Sequence, residues 1–271
     1  MKVVIFSGGL GLRMGETTAR VPKPMIPIGD RPILWHIMRY YSSFGYNDFV
    51  LCLGYRAEVV KEYFLNYQEA LTNDFVLRDG GREVELLSTD IHDWSITFAN
   101  TGLRTSIGQR LKAVESHIGS DDIFLTNYGD TLTDAPIPDM VDALVAADKI
   151  ALFIAARPTY SFHVTKFDEN NVVQEIVDVT KSDVWLNGGY FVFRREIFDY
   201  IGEGEDLVEE PFRRLIADGQ LLAYPYEGFW AAMDTLKEKQ HLEGLLELGQ
   251  APWVRWEANG RAASADTAPI A

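Results

Sequence analysis

Short apolar runs alternate with segments of helical periodicity through the first half of the chain. The apolar runs predict buried strands at residues 3–6, 48–53, 123–127 and 150–155. The segments between them predict helices at residues 33–44, 58–66 and 140–147. This order predicts an α/β fold with a doubly wound, mostly parallel, Rossmann-like sheet, in which a ligand crevice lies at the carboxyl ends of the strands.

The pattern changes in two other parts of the chain. Residues 75–77, 84–87 and 95–99 predict short strands in a meander. After Pro158, strand-like segments at residues 163–167, 172–178 and 185–193 predict a small antiparallel β extension within about residues 157–194. Helical patterns return at residues 209–217 and 235–248. Small residues and proline dominate from Asn259 onward, so we expect a single domain over residues 1–256 and a disordered tail over residues 257–271.

Composition narrows the class of protein. The chain has 271 residues and a net charge of −15, which argues against a nucleic-acid partner because such proteins need a basic surface. Cys52 is the single cysteine, so no internal disulfide is possible and a reducing cytoplasm is the expected compartment. No apolar run reaches the roughly 18 residues of a membrane span, and the first residues have no signal-peptide cleavage region. We therefore expect no membrane partner, and a homo-oligomer stays possible.

The first strand ends in a glycine-rich turn at residues 8–11, which is followed by Arg13 and, ten residues further, by Lys23 between two prolines. Glycines let backbone approach a ligand closely, and successive N–H groups in such a turn form a concave anion site. Arg13 offers a planar fork for phosphate oxygens, and Lys23 offers a point charge. An ordinary strand-to-helix turn with two surface cations is the alternative. The spacing fits neither the P-loop nor the dinucleotide fingerprint.

Five motifs in order resemble the sugar-1-phosphate nucleotidyltransferases. They are Gly8-Gly9-Leu10-Gly11-Leu12-Arg13 with Pro22-Lys23-Pro24-Met25, then Gly29 to His36, Tyr128-Gly129-Asp130, Asn187-Gly188-Gly189, and Gly228 to Thr235. The resemblance covers residues 1 to about 256. The segment Gly228 to Thr235 and the closing Ala251-Pro252-Trp253 look most like the glucose-1-phosphate cytidylyltransferase branch. On this resemblance, residues 1–256 form one nucleotidyltransferase domain.

The resemblance implies nucleotidyl transfer to a sugar-1-phosphate. An acceptor phosphate oxygen attacks the α-phosphorus of a nucleoside triphosphate, with CTP favoured, and pyrophosphate leaves to give an NDP-sugar. Asp130 and Asp234 would hold Mg²⁺, Arg13 would hold the β- and γ-phosphates, and Lys23 would approach the α-phosphate or the incoming phosphate. Asp130 follows a predicted strand at the crevice end of the sheet. For Asp234, the alternative role is the N-cap of the helix that follows.

The resemblance also implies which residues contact each substrate. The nucleotide-binding set is Phe6, Ser7, Gly8, Gly9, Leu10, Gly11, Leu12, Arg13, Lys23, Thr105, Arg110 and Gly129. The acceptor-binding set is His163, Lys181, Asn187 and Gly188. Two departures affect the acceptor: the family's Glu-Lys-Pro upstream of Asn187 is missing, and His163 stands where the branch has glycine. Lys181 is the cation closest to the missing lysine.

Three other functions remain open. The first is a cytidylyltransferase that acts on a small phosphate or phosphonate other than glucose-1-phosphate, which the missing Glu-Lys-Pro favours. The second is a glycosyltransferase that binds nucleotide sugars, although Asp130 is followed by Thr131-Leu132 and not by the Asp-x-Asp motif. The third is a non-catalytic nucleotide sensor.

We further expect Arg13 and Lys23 to lie on a solvated loop, so that their replacement leaves stability nearly unchanged.

Overall fold

A seven-stranded sheet forms the centre of the protein. The computed structural model describes residues 1–9, 21–159 and 162–256. Within them the sheet has the order β14-β10-β13-β8-β1-β4-β7. The strands are β1 (Lys2–Ser7), β4 (Asp48–Leu53), β7 (Ser95–Asn100), β8 (Ile123–Asn127), β10 (Ala151–Ala156), β13 (Leu186–Arg194) and β14 (Leu221–Tyr226). All of them run parallel to one another except β13, which confirms the predicted mostly parallel sheet.

Helices cover both faces of the sheet. They are α1 (Ile33–Ser42), α2 (Ala57–Leu65), α3 (Ile107–Ala113), α4 (Glu115–Ile118), α5 (Ile137–Ala147), α6 (Glu210–Ala217) and α7 (Leu236–Glu247). Alternate strand residues face opposite sides: Val3 packs with α1, α5 and α7, whereas Val4 packs with α3, α4 and α6. The strands therefore need apolar residues on both faces, which is why they appear in the sequence as continuous apolar runs.

Two predicted segments lie elsewhere than expected. The meander predicted over residues 75–99 is wrong for its last strand, because β7 joins the main sheet parallel to β4. The hairpin of β11 (His163–Phe167) and β12 (Val173–Asp178) is a separate antiparallel sheet, as predicted for the extension. Residues 185–193, however, belong to the main sheet as β13, between β8 and β10. From Gly188 to Phe193 this strand is buried, because it is covered on both faces. A local pattern predicts a strand but does not indicate which sheet the strand joins.

Three further strand pairs surround the main sheet. They are β2 (Pro27–Ile28) with β3 (Arg31–Pro32), β5 (Phe75–Arg78) with β6 (Glu83–Leu86), and β9 (Thr131–Thr133) with β15 (Trp230–Ala232). None of the helices in the described ranges is both long and apolar enough to span a membrane. The predicted tail lies outside the described residues.

The functional edge of the sheet follows from these strand directions. The carboxyl ends of β1, β4, β7, β8, β10 and β14 lie at the same edge, together with the amino end of β13. Gly8, Asp130 and Arg157 lie in segments that leave the sheet at this edge, and Asn187 lies at the start of β13, which enters the sheet there. In open α/β sheets the ligand crevice lies at this edge.

Candidate active site

Three charged side chains that are distant in the sequence meet beside the carboxyl end of β8. The Nζ atom of Lys23 donates to Oδ2 of Asp130 at 2.6 Å and to Oδ1 of Asp234 at 2.6 Å. The lysine side chain is 12% exposed, and the two carboxylates are 26% and 23% exposed. The structure thus brings together three of the four residues that the sequence predicts to be catalytic.

A small strand pair accounts for the meeting of the two aspartates. In the register of β9 with β15, Thr131 lies opposite Ala232. The backbone N–H of Met233 donates to the carbonyl of Asp130 at 2.9 Å. Asp130 and Asp234 therefore leave adjacent ends of one antiparallel ladder, although about a hundred residues separate them in the chain.

The N-cap of α7 is Thr235 and not Asp234. The Thr235 hydroxyl accepts from the backbone N–H of Glu238, and the Glu238 carboxylate accepts from the N–H of Thr235 at 2.7 Å, which is a capping box. The same carboxylate accepts from the N–H of Asp234 at 2.6 Å. The Asp234 side chain is not needed as the cap and instead contacts Lys23.

Lys23 is held in a tight turn and not on a solvated loop. A 3₁₀ turn spans Lys23–Met25, and Pro24 and Met25 are buried. Burial by itself would lower the pKa of Lys23, but the two carboxylates outweigh burial and raise the pKa above its ordinary value. Lys23 is therefore a charged group that separates two like charges. The expectation of a solvated loop is therefore wrong for Lys23, whose side chain is 12% exposed. Because its replacement removes a cation that contacts both carboxylates, we now expect that replacement to lower stability.

The chemistry of this site suits a divalent cation. Two carboxylate oxygens converge on one point, which the lysine ammonium occupies as the positive charge. Mg²⁺ prefers carboxylate oxygens and takes only one or two of them from the protein. Among the described residues there is no cluster of three or more His, Cys, Asp or Glu side chains that could hold a metal. Asp130 and Asp234 are a pair of carboxylates whose chemistry fits a magnesium ion.

A cavity of about 540 Å³ opens against the carboxyl end of β1, at the same edge of the sheet. Five of the predicted nucleotide-binding residues line it: Phe6, Gly8, Gly9, Thr105 and Arg110. The other lining residues are Leu103, Arg104, Ser106, Ile107 and Asp206. The last of these comes from a segment that the sequence analysis did not connect with the nucleotide. The volume is within the range of small-molecule sites in proteins.

Arg110 occupies an unexpected position in this cavity wall. Its side chain is nearly fully buried and donates to the carbonyls of Leu53 and Gly8 at 3.3 and 3.1 Å, and to the Thr101 hydroxyl at 2.7 Å. These acceptors follow or end β4, β1 and β7. The sequence predicts Arg110 as a nucleotide contact, and that prediction stands untested. The structure shows a guanidinium that holds three strand ends together.

Two glycines allow this close packing. A Cβ at Gly8 would lie 2.1 Å from the Arg110 guanidinium. Gly129 has φ +79°, and a Cβ there would lie 2.7 Å from the carbonyl oxygen of Phe6. Ser7, the last residue of β1, is fully buried. Gly8 and Gly129 therefore bring the backbone ends of β1 and β8 together at the crevice.

The predicted acceptor residues fall into two groups. Asn187 donates to the Tyr128 hydroxyl at 3.2 Å, and the Gly188 carbonyl accepts from the Trp230 indole N–H at 2.8 Å. Asn187 and Gly188 are thereby joined to the strands that carry the two aspartates. His163 lies opposite Asp178 on the β11–β12 hairpin, and Lys181 ends a 3₁₀ turn just after it; both are exposed. Within the described residues, neither His163 nor Lys181 has a described contact with Asp130 or Asp234.

Four predicted residues, Leu10, Gly11, Leu12 and Arg13, lie outside the described residues. The sequence analysis missed Glu238, Tyr128 as a partner of Asn187, and the strand-bridging role of Arg110. For Glu238 a signal was available, because Thr235 and Glu238 have the spacing of a capping box. Tyr128 and Arg110 obtain their roles from partners far away in the chain, which no local pattern indicates.

Comparison with known proteins assigns the class. The family model described as nucleotidyl transferase matches residues 2–238. The chain belongs to this family, and it is a nucleotidyltransferase enzyme. It is 39% identical over 259 residues to a glucose-1-phosphate cytidylyltransferase of Salmonella typhi, across 95% of this chain and 100% of that protein. A probable glucose-1-phosphate cytidylyltransferase of Bacillus subtilis is 37% identical over 258 residues, across 94% and 100%. The resemblance to the cytidylyltransferase branch is therefore confirmed.

Solved structures support the fold. A UDP-glucose pyrophosphorylase in complex with UDP-glucose matches with a TM-score of 0.66 at 16% identity, across 92% of this chain and 98% of that one. At such low identity the match concerns the fold alone, and it confirms the Rossmann-like architecture.

Proposed function

We propose that this enzyme transfers a cytidylyl group from CTP to a sugar-1-phosphate, with Mg²⁺ as cofactor, and releases pyrophosphate. The observation that carries the proposal is the contact of Lys23 with both Asp130 and Asp234 at the crevice edge. Both substrates are polyanions, so the main tasks of the site are neutralisation and alignment. A site with two carboxylates and one ammonium can bind a divalent ion and a phosphate together.

Each residue has a distinct task in this reaction. Asp130 and Asp234 would hold Mg²⁺, and the bound ion supplies positive charge to the reacting phosphates. Lys23 donates to oxygens of the α-phosphate or of the incoming phosphate, while Arg13 donates to the leaving β- and γ-phosphates. No side chain has to act as a nucleophile, because the acceptor phosphate provides the attacking oxygen.

The nucleotide would occupy the cavity beside β1. Phe6, Gly8 and Thr105, which were predicted as nucleotide contacts, line this cavity. The preference for cytidine is supported by the relatives at 37–39% identity, which cover nearly the whole chain and are named for CTP chemistry. The remaining nucleotide contacts of the sequence analysis, including Gly129 and Arg110, belong to the same proposal.

The acceptor would lie on the other side of Asp130, toward Asn187 and Gly188, with His163 and Lys181 nearby. A sugar-1-phosphate is the first candidate. A small phosphate or phosphonate other than glucose-1-phosphate is the second, because the Glu-Lys-Pro segment is missing and His163 replaces a glycine. We also propose that residues 1–256 act as one catalytic unit in the cytoplasm, without nucleic-acid or membrane partners.

Pyrophosphate release across four nucleoside triphosphates and a panel of phosphorylated acceptors tests this function. We expect CTP to be preferred and activity to be lost with EDTA and restored by Mg²⁺. Asp130→Asn and Asp234→Asn should each lower turnover by about two orders of magnitude or more. Asp148→Asn is the matched control, because Asp148 is an exposed carboxylate that pairs with Arg194 at the other edge of the sheet. Normal activity of both site variants in limiting Mg²⁺ would refute the metal site.

A further inference from the structure

Arg157 is a cation at the crevice edge to which the proposed reaction gives no role. It follows directly after the last residue of β10, where Ala156 pairs with Leu186 of β13. Its guanidinium lies 3.9 Å from the centre of the Trp185 ring and donates to the carbonyl of Ser182 at 2.9 Å. Two fixed partners thus orient the guanidinium, although about a third of the side chain is exposed.

Most of the hydrogen-bonding capacity of this guanidinium is unused. An arginine has five N–H donors. Among the described residues, the Arg157 guanidinium makes a single hydrogen bond, which it donates to the Ser182 carbonyl. Its ion pair with Glu227 is 3.6 Å long, and the Glu227 side chain is 75% exposed. Such exposed pairs contribute little, so an anionic ligand displaces Glu227 at small cost.

The strand order places Arg157 on the acceptor side. From β8 the nucleotide cavity extends over β1 toward the segment that follows β7, while β13 and β10 lie on the other side. Arg157 is two strands from the strand that leads to Asp130, which is about 10 Å at the usual strand spacing. An acceptor whose phosphate lies beside Asp130 and Lys23 would have to extend about this far, past β13, to contact Arg157 with its opposite end.

An anionic group of the acceptor needs a local cation in this acidic protein. The protein has a net charge of −15, so an anionic group is repelled unless a local cation receives it. Lys181 lies one residue before Ser182, and the hydrogen bond from Arg157 attaches that segment to the sheet edge. A planar guanidinium presents paired donors that match a carboxylate or phosphate.

We propose that Arg157, oriented by Trp185, binds a second anionic group of the acceptor, at the end away from the phosphate that reacts. The acceptor class is then a phosphorylated sugar or small molecule that also carries a carboxylate or a second phosphate. This inference rests on the proposed cytidylyl transfer. It refines that function, because it assigns a chemical class to the acceptor.

Two matched pairs of acceptors test the proposal with CTP. The sugar pair is glucuronic acid 1-phosphate and glucose 1-phosphate; the acyclic pair is 3-phosphoglycerate and glycerol 3-phosphate. In at least one pair we expect the acid to be preferred in kcat/KM by about tenfold or more, since a charge-assisted hydrogen bond has that effect on affinity. Equal use of acid and neutral acceptor in both pairs would overturn the proposal.

Variants then assign the preference to Arg157. Arg157→Gln should reduce the preference by about tenfold to hundredfold through the acceptor KM, with the KM for CTP unchanged, and Arg157→Lys should retain part of it. Arg194→Gln is the matched control, because Arg194 also donates to a backbone carbonyl and pairs with an exposed carboxylate, but at the other edge of the sheet. An equal effect of the two glutamine variants would also contradict the proposal.

Glu227→Gln provides a test that does not depend on the folding of the Arg157 variants. It removes the competing carboxylate from an exposed position, so affinity for the acid should rise.

Calorimetric binding of each acceptor without CTP separates the two proposals. If the acid binds selectively and Arg157→Gln abolishes this, the inference holds even without turnover, and the cytidylyl transfer fails. If CTP is turned over and neither binding nor rate distinguishes acid from neutral acceptor, the transfer holds and the inference fails.

Discussion

The two halves of the crevice are built in different ways. The proposed nucleotide half is part of the core: Arg110 and Ser7 are buried, and Gly8 and Gly129 pack against neighbouring groups closer than any side chain could. The proposed acceptor half is more exposed: Asn187 and Gly188 belong to the main sheet, but His163 and Lys181 are exposed on a separate hairpin and the turn after it, and Arg157 is about a third exposed beside Trp185. We therefore expect substitutions in the proposed acceptor half to cost less stability than substitutions in the proposed nucleotide half.

The largest expected effect is on turnover, at the boundary between the halves. Lys23→Ala should lower the rate of pyrophosphate release by about 10²- to 10³-fold, because one charge contact to the transition state is lost. It should also lower the melting temperature, and Mg²⁺ should restore part of this loss by screening Asp130 from Asp234. Steady-state rates and melting curves with and without Mg²⁺ measure both effects. A variant with normal melting in EDTA would show that the lysine does not hold the carboxylates together.

The second prediction tests how far the nucleotide half belongs to the core. Arg110→Met should lower the free energy of unfolding by about 4 kcal/mol, because the buried acceptors on Gly8, Leu53 and Thr101 lose their donor. Urea denaturation measures the change. Arg104→Met is the matched control, since Arg104 lines the same cavity but is exposed. If both variants were equally stable, the strand-bridging role of Arg110 would be wrong.

The third prediction concerns the pH dependence of stability that His36 causes. His36 is buried on α1, donates from Nε2 to the carbonyl of Ile28 at 3.0 Å, and accepts at Nδ1 from the indole of Trp253 at 3.3 Å. Burial is the main cause that lowers its pKa from 6.5 to about 4. The unfolded chain therefore binds a proton between these pH values that the folded protein does not.

Stability should thus fall as the pH drops from about 6.5 toward 4, by up to about 3 kcal/mol from this histidine. Unfolding free energies of the wild type and His36→Gln, measured at several pH values, should differ in slope over that window. The exposed His163→Gln variant is the control and should retain the wild-type slope. Identical slopes for the wild type and His36→Gln would contradict the prediction.

The smallest effect is expected on the hairpin of the acceptor half. Ile176 is 62% exposed on β12, so Ile176→Ser should change the free energy of unfolding by less than about 0.5 kcal/mol. The KM for CTP should be unaltered. Thermal melting and initial rates check this, with Ile154→Ser as the contrasting variant, since Ile154 is fully buried in β10. A large loss with Ile176→Ser would mean that the hairpin face is covered in the working enzyme.

Sequence alone predicted most of the local elements and the family. The strand at residues 48–53 was predicted with the observed bounds, and the helix at residues 58–66 was shifted by a single residue at each end. These succeed because an apolar run or a helical periodicity is visible within a few residues. The motifs around Lys23, Asp130 and Asp234 also named three residues that the structure brings into contact.

Only the tertiary structure decided how these pieces combine. It placed β13 within the main sheet, buried Arg110 among three strand ends, made Thr235 the helix cap, and enclosed Lys23 between two carboxylates. Each of these outcomes depends on partners that are distant in the chain, such as the 107 and 211 positions that separate Lys23 from its aspartates. Local patterns contain no information on such distances, because pairing and burial arise only when the whole sheet has formed.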